Sequence, residues 1–287
     1  MNIQETVTRW FRVNARDLPW RGTEVTAWQI FVSEVMLQQT PASRVAPAWE
    51  AWIKKWPDPA ATASATPAQI LRQWDRLGYP RRALRILDAA RIITNDFENE
   101  MPKTYEELIA LPGIGDYTAN AILAFAFNKK SVVLDTNIRR VIGRVWHAEE
   151  RPRPSISQVE RQFAGSLVPS SHKAASEWSA AVMEFGAILC TARNPLCDSC
   201  IVKSACAWRL AGYPKSQIQI RSQKFEGTNR QVRGRIMKIL KDSAKPVSKD
   251  EFANSSSDAK QRNRALDSLI QDGLVEVTRS GKFRLPV

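Results

Sequence analysis

The stretch from Leu111 to Arg144 limits most sharply what this chain can fold into. It opens with Leu111-Pro112-Gly113-Ile114-Gly115-Asp116-Tyr117-Thr118 and passes into an Ala-rich apolar run to Phe127. Leu134-Asp135-Thr136-Asn137-Ile138-Arg139-Arg140 follows. Glycine takes positive φ without steric cost and lets another molecule approach the backbone closely. Pro112 keeps a preceding helix from running on. That helix has its own start signal in the capping-box spacing Thr104-Tyr105-Glu106-Glu107, and an apolar face of Leu108, Ile109 and Leu111. The run after the hairpin is apolar all round, as in a buried helix. The pattern predicts helix, glycine hairpin, helix. Free amides at the second helix's N-terminus offer a site for a phosphate-sized anion. The same spacing also suits an ordinary helix–loop–helix corner.

The rest of the chain narrows the choice. Its 287 residues, 44% of them hydrophobic, suffice for one large domain or two. Forty-two Lys+Arg against 29 Asp+Glu give a net charge of +13, which points to a polyanionic partner. DNA or RNA comes first and an anionic membrane surface second. No run reaches the ~18 apolar residues of a membrane span, and the N-terminus is amphipathic and charged. A soluble, intracellular protein is expected.

Cys190, Cys197, Cys200 and Cys206 fall within 17 residues with spacing C-x6-C-x2-C-x5-C, and the other 270 residues hold no cysteine. In a reducing compartment such a cluster reads as a metal site rather than disulfides. Four thiolates without histidine suit tetrahedral zinc or a four-iron cluster, and spacing alone leaves both open.

Helical periodicity dominates up to residue 215. Helices are expected over Ile3–Val13, Trp28–Gln39, Pro41–Lys55, Pro67–Arg76, Arg81–Phe97, Ser157–Leu167 and Ala174–Thr191. Within the second of these Glu34 stands among Trp28, Ile30, Phe31, Val32, Val35, Met36 and Leu37, with no wide polar stripe around it. A buried or cleft-lining carboxyl fits better than a solvated one. Burial raises a carboxyl's pKa and keeps it protonated, as a general acid requires. Asp135 precedes another helical run, where Asp is favoured as an N-cap. Glu34 and Asp135 form a candidate carboxylate pair.

After Ala211-Gly212-Tyr213-Pro214 the character changes. Residues 216–287 carry 15 Lys+Arg and 8 Asp+Glu, a net of +7 (15 − 8). Three helices are expected there: basic Arg230–Lys241, a short one after the capping box Ser248-Lys249-Asp250-Glu251, and Asp258–Gln271. Leu274–Thr278 and Lys282–Leu285 alternate like a hairpin. This is the order of a winged helix.

Taken together, the Leu-Pro-Gly-Ile-Gly hairpin, Asp135 and the cysteine spacing resemble the endonuclease III superfamily of DNA glycosylases. Leu18-Pro19-Trp20, Ser33-Glu34-Val35-Met36-Leu37-Gln38-Gln39-Thr40 and Leu77-Gly78-Tyr79 are similar to its MutY-type adenine DNA glycosylase branch. The resemblance covers about residues 1–215. It implies a mainly α, two-lobed helix–hairpin–helix domain over 1–215, with a small α+β winged-helix-like domain over 216–287. One lobe would be about 25–134; the other would be 1–24 plus 135–215, ending in an iron–sulfur loop over 190–206. The cysteines would hold one four-iron, four-sulfur cluster.

The implied chemistry is hydrolysis of the N-glycosidic bond of adenine mispaired with 8-oxoguanine or guanine, leaving an abasic site. A base inside a duplex must first be flipped out. Glu34 would protonate the leaving adenine and Asp135 would stabilise the oxocarbenium-like sugar. Asn137 would orient Asp135. Tyr117 stands where strand-cutting relatives carry a lysine, which implies a monofunctional enzyme. Gln39 and Tyr79 match residues that wedge into the stack and probe 8-oxoguanine; Trp20, Arg21, Leu37, Thr40, Gly113 and Gly115 complete the expected DNA contacts.

The partner implied is mismatched or oxidised double-stranded DNA. The protein would be a monomer in a bacterial cytoplasm, associated with the nucleoid. Ala180, Pro80 and Thr136 depart from the branch's usual residues, and the tail replaces its usual lesion-reading domain, as in short actinobacterial forms. Two other readings compete: a thymine or uracil mismatch glycosylase, which can share Tyr117, and a non-catalytic DNA-binding protein.

Overall fold

The computed structural model describes residues 2–218 and 225–287. In chain order its helices are α1 (Ile3–Asn14), α2 (Ala27–Leu37), α3 (Ala42–Lys55), α4 (Pro59–Ala63), α5 (Pro67–Gln73), α6 (Arg81–Asp96) and α7 (Tyr105–Ala110). Then come α8 (Asp116–Phe125), α9 (Thr136–His147), α10 (Gln158–Ser166), α11 (His172–Ile188), α12 (Ala207–Leu210), α13 (Asn229–Asp242) and α14 (Ala259–Gln271). Short 3-10 turns cover Pro19–Arg21 and Lys249–Ser255. Strands β1 (Glu276–Val277) and β2 (Phe283–Arg284) pair antiparallel, Glu276 opposite Arg284.

Two compact units divide the chain. The first holds residues up to Glu34, 102–110 and 114–220. Its core gathers Val7 from α1, Ala121 and Ala124 from α8, Ile138, Val141, Ile142 and Val145 from α9, and Trp178, Val182 and Phe185 from α11. Helix α11 runs between α1 and α9, and α12 packs on α9. Cys190, Cys200 and Cys206 lean on this same core.

The second unit holds residues 35–101, 111–113 and 221–287. Helices α4 and α5 pack on α6 around Trp52, Trp74, Ile70, Leu71, Ile86 and Ile93, all essentially inaccessible. Trp52 meets Trp56 and Trp74 edge-on at 4.9 and 6.0 Å, an arrangement that ring quadrupoles favour. The C-terminal segment has its own core of Ile236, Met237, Leu240, Phe252, Leu266, Leu269 and Leu285, and its helix α13 also packs on α5.

Element types follow the sequence closely, and the differences are local. The Thr104 capping box closes on one arm: Thr104 accepts the Glu107 amide at 3.3 Å, but the Glu107 carboxylate takes the Thr104 hydroxyl rather than a backbone amide. The segment after Ser248 is a 3-10 helix, although its full capping box forms. Val132-Val133-Leu134 is neither helix nor strand. Short α4 and α12 carry too little periodicity to be foreseen. Of the hairpin glycines only Gly113 has positive φ, at +86°; Gly115 is extended and caps α8.

The two glycines should therefore answer differently to substitution. A Cβ on Gly113 would also stand 3.1 Å from the Cβ of Arg85, whereas one on Gly115 would meet nothing within 4 Å. Gly113→Ala should cost about 1–2 kcal/mol of stability in a denaturant titration. Gly115→Ala should cost much less, because its backbone is extended and a methyl group there meets nothing. Equal stability losses would remove the distinction.

Candidate active site

Glu34 belongs to an α2 segment in which Ile30, Phe31, Val32, Ser33 and Val35 are all buried, and it is itself only 5% exposed. Desolvation raises its pKa to about 7; nearby Asp135 adds to the rise, while a hydrogen bond from Tyr117 and the charge of Arg21 oppose it. Its Oε2 has no hydrogen-bond partner among the described residues. A buried oxygen left open in this way costs free energy unless something binds there.

Tyr117, on the first turn of α8, is the hydroxyl beside Glu34. Burial and the two carboxyls hold its pKa well above the usual phenol range, so it is a neutral donor. Asp135 caps α9: it accepts the Ile138 amide at 2.6 Å and the Asn137 side-chain amide at 2.8 Å. The N-cap role and the place beside Glu34 are thus the same role, since capping is what aims this carboxylate. Burial raises its pKa, and the bonds from Ile138 and Asn137 with the charge of Arg140 restrain the rise. Two carboxyls, one phenol and one amide are brought together within the first unit. Sequence reasoning named all four but could not show that they meet.

It missed what holds them. From Asp135 a hydrogen-bonded chain runs along α9. The Asn137 side-chain Oδ1 accepts from Arg140 at 2.8 Å, and Arg140 also donates to the backbone carbonyls of Gly186 and Cys190, at 2.6 and 2.8 Å. One turn on, Arg144 donates to the Thr191 carbonyl at 2.8 Å and reaches Cys190 Sγ at 3.5 Å. Gly186 allows this closeness. A Cβ there would lie 2.8 Å from the Cβ of Asn137 and 2.9 Å from its carbonyl oxygen. The sequence signal is faint: Arg140 and Arg144 are four apart in a helix whose other face is apolar, which reads as a solvated stripe.

Cys190, Cys197, Cys200 and Cys206 line one pocket with Arg144, Leu196, Val202 and Trp208. No three His, Cys, Asp or Glu side chains among the described residues converge as a single ion would need. The thiols surround a space instead, which fits a multi-atom cluster better than zinc. Arg144 supports that fit. It is 1% exposed, has no carboxylate partner among the described residues, lies 4.5 Å over the Trp208 ring and faces a thiol. A cluster held by four thiolates supplies the anion this buried cation lacks. The protein carries one four-iron, four-sulfur cluster on these cysteines. These cysteines run from the loop after α11 to the N-cap of α12, so a cluster held by them would tie that loop to the start of α12, while Arg140 and Arg144 join the loop to α9.

Arg21 and Trp20 lie on the 3-10 turn after α1. Trp20 is buried. Arg21 donates to Glu184 at 3.0 Å, and Arg16 grips the same carboxylate at 2.7 and 2.8 Å. Burial alone would raise the Glu184 pKa, but these two arginines bring it down to about 2. The trio ties the segment before α2 to α11, and Glu184 is a further residue that sequence reasoning passed over.

In the second unit, Gln39 and Tyr79 both take left-handed backbone, φ 57° and 45°, which is uncommon for such side chains and often marks a functional loop. One residue braces both. Arg82 donates to the carbonyls of Val35 and Met36 at 2.9 and 3.0 Å and to that of Gln38. Its other nitrogen reaches Thr40 Oγ1 and the carbonyls of Leu77 and Gly78 at 3.0–3.1 Å. Thr40 is buried by this bracing and Leu37 half-buried, while Gln39 and Tyr79 stay exposed.

Residues 32–167 match the model of the HhH-GPD superfamily base excision DNA repair proteins, and 190–206 match the iron–sulfur binding domain of endonuclease III. The adenine DNA glycosylase of Mycolicibacterium smegmatis is 47% identical over 96% of this chain and 93% of its own length. That of Mycobacterium tuberculosis is 46% identical over 96% and 91%. The human adenine DNA glycosylase is 37% identical over 70% of this chain and 38% of itself. Among solved structures a thermostable thymine-DNA glycosylase superposes with TM-score 0.65 at 25% identity, covering 72% of this chain and 95% of that one. The chain belongs to the adenine DNA glycosylase family, within the HhH-GPD superfamily of base excision DNA repair enzymes.

Because Gly186 admits Asn137, Gly186→Ala must push α11 and α9 apart beside the Asp135 cap. It should lower stability by about 1–3 kcal/mol, as overpacking of a tight contact does. A denaturation midpoint unchanged from the parent protein would show that the two helices are not in this contact.

Proposed function

We propose that this enzyme removes adenine standing opposite 8-oxoguanine or guanine in duplex DNA, acting as a monomer and leaving an abasic site. The observation that carries the reading is Glu34: a buried carboxyl with one open oxygen and a pKa of about 7, next to an aspartate held by an N-cap. A flipped adenine presents ring nitrogens that need a proton before the base can leave. Glu34 gives that proton, the C1′–N9 bond breaks, and Asp135 offsets the positive charge that grows on the sugar. Water then adds to C1′, and its proton returns to the carboxylate Glu34 has become. Asn137 and the Ile138 amide keep Asp135 aimed, while Tyr117 donates to Glu34 and fixes its rotamer.

Tyr117 has no amine to form a Schiff base, so the strand is left intact. Gln39 and Tyr79 serve the opposite strand, with Leu37 and Thr40 shaping their loop; Trp20 and Arg21 support α2; Gly113 and Gly115 present amides to phosphate. Residues 216–287 act as a basic winged-helix-like domain, with exposed Lys260 and Arg264 of α14 beside Arg262 toward the DNA backbone. The likeness to a thymine-DNA glycosylase keeps one rival in play. Comparing base release from adenine opposite 8-oxoguanine with release of thymine opposite guanine decides between them: adenine should be released and thymine not.

Three outcomes follow. Glu34→Gln or Asp135→Asn should lower the single-turnover rate at least about a thousandfold while duplex affinity stays within a few-fold, because affinity rests on phosphate contacts. Survival of activity in either variant would sink the assignment. The rate should also fall as pH rises through about 7, where Glu34 loses the proton it must deliver. It should fall again at low pH as Asp135 gains one, above the ordinary aspartate range because burial raises its pKa. A rate flat from pH 6 to 9 would contradict the acid role. Finally, borohydride should trap little protein on DNA; high-yield trapping would contradict the absence of a Schiff base.

A further inference from the structure

The C-terminal segment touches the loop that carries Tyr79, and it does so with an arginine. The Arg230 guanidinium on the first turn of α13 lies 4.4 Å from the centroid of the Tyr79 ring, and 5.7 Å from that of Phe225. Both rings are exposed, Tyr79 at 39% and Phe225 at 54%. Arg230 makes no ion pair or hydrogen bond with any described residue. Its neighbours differ: Arg233 pairs with Asp272 at 2.6 Å, and Arg235 donates to the Ser255 carbonyl at 3.1 Å.

The surrounding contacts make this placement firm. Arg81 pairs with Asp272 at 3.1 Å, Lys241 donates to the Asp75 carbonyl at 2.6 Å, and Arg72 donates to the carbonyls of Lys241 and Ser243 at 3.3 and 3.2 Å. Residues on both sides of Tyr79 are thus bound to α13 and α14. From within its own loop Tyr79 also has Arg82, 5.7 Å from its centroid.

We infer that Arg230 is a positioning residue for recognition of the strand opposite the excised base: it pins the Tyr79 ring through a cation–π contact, so the C-terminal segment takes part in discrimination and not only in phosphate binding. A tyrosine in left-handed backbone on an exposed loop has little else to fix its ring. A cation over the face both orients the ring and leaves its own fork of donors free toward nucleic acid. The inference rests on the proposed role of Tyr79.

The test uses the full chain with its cluster, and single-turnover rates on adenine opposite 8-oxoguanine and adenine opposite guanine. Arg230→Ala should lower the ratio of the two rates about three- to tenfold, the scale of such a contact. Arg230→Lys, which keeps a cation, should restore part of it. In a Tyr79→Ala background Arg230→Ala should change the ratio no further, because coupled residues are not additive. If Tyr79→Ala lowers the ratio and Arg230→Ala does not, the inference about Arg230 fails while the reading of Tyr79 stands. If Tyr79→Ala leaves the ratio untouched, the reading of Tyr79 fails first. Arg230→Ala slowing both substrates alike would mark a phosphate contact and overturn the inference. A misfolded Arg230→Ala would show as a lowered melting temperature, and Arg230→Met, which keeps the packing stem without the charge, then carries the same comparison.

Discussion

A carboxyl group taken out of water into an apolar helix holds its proton up to about neutrality, and the chemistry proposed for this protein depends on that one cost. Glu34 bears it within α2, where nearly every neighbour in sequence is buried and apolar. Its pKa stands at about 7 because desolvation outweighs the help of Tyr117 and Arg21. Asp135 also resists ionisation through burial, but it has what Glu34 lacks: two amide donors that favour its charged form. The environment thus treats the two carboxyls differently, and the proposed chemistry uses that difference: Glu34 as the acid and Asp135 as the carboxylate beside the sugar.

The supporting frame relies on buried arginines that have no carboxylate partner among the described residues. Arg82, Arg140 and Arg144 are 6%, 5% and 1% exposed, and each spends its donors mainly on backbone carbonyls. Burial lowers the pKa of Arg82 to about 10 and also lowers that of Arg140, yet both remain charged at neutral pH. A guanidinium's planar fork can gather several carbonyls that no helix or strand would otherwise satisfy. Arg82 does this for the loops of Gln39 and Tyr79. Arg140 and Arg144 do it for the loop that leads into the cysteines, so the orientation of Asp135 and the seating of the cluster share one helix.

Much of this was legible in the sequence because it is local. Helical period, proline breaks, the Ser248 capping box and the tail's helix–hairpin order are written in neighbouring residues. So is the odd acid in an apolar helix, which marks Glu34. What could not be read is long-range geometry. Gly186 looks like any glycine in a helix until α9 is laid against it. Glu184 reads as one acid in α11 until Arg16 and Arg21 arrive from the other end of the unit. Arg82 and Arg230 read as surface charge, and only the fold turns the first inward and sets the second on the Tyr79 ring. The cysteine spacing left zinc and a four-iron cluster open; the shape of the pocket, Arg144 and the match to the endonuclease III iron–sulfur domain decide it.

The proton that Glu34 holds can be observed without any substrate. Protein labelled with 13C at the glutamate carboxyl carbon would be titrated by NMR beside Glu34→Gln. One resonance should titrate with a midpoint near 7 and be missing from the variant. A spectrum in which every glutamate has ionised by about pH 5.5, as ordinary carboxyl groups do, would contradict the account.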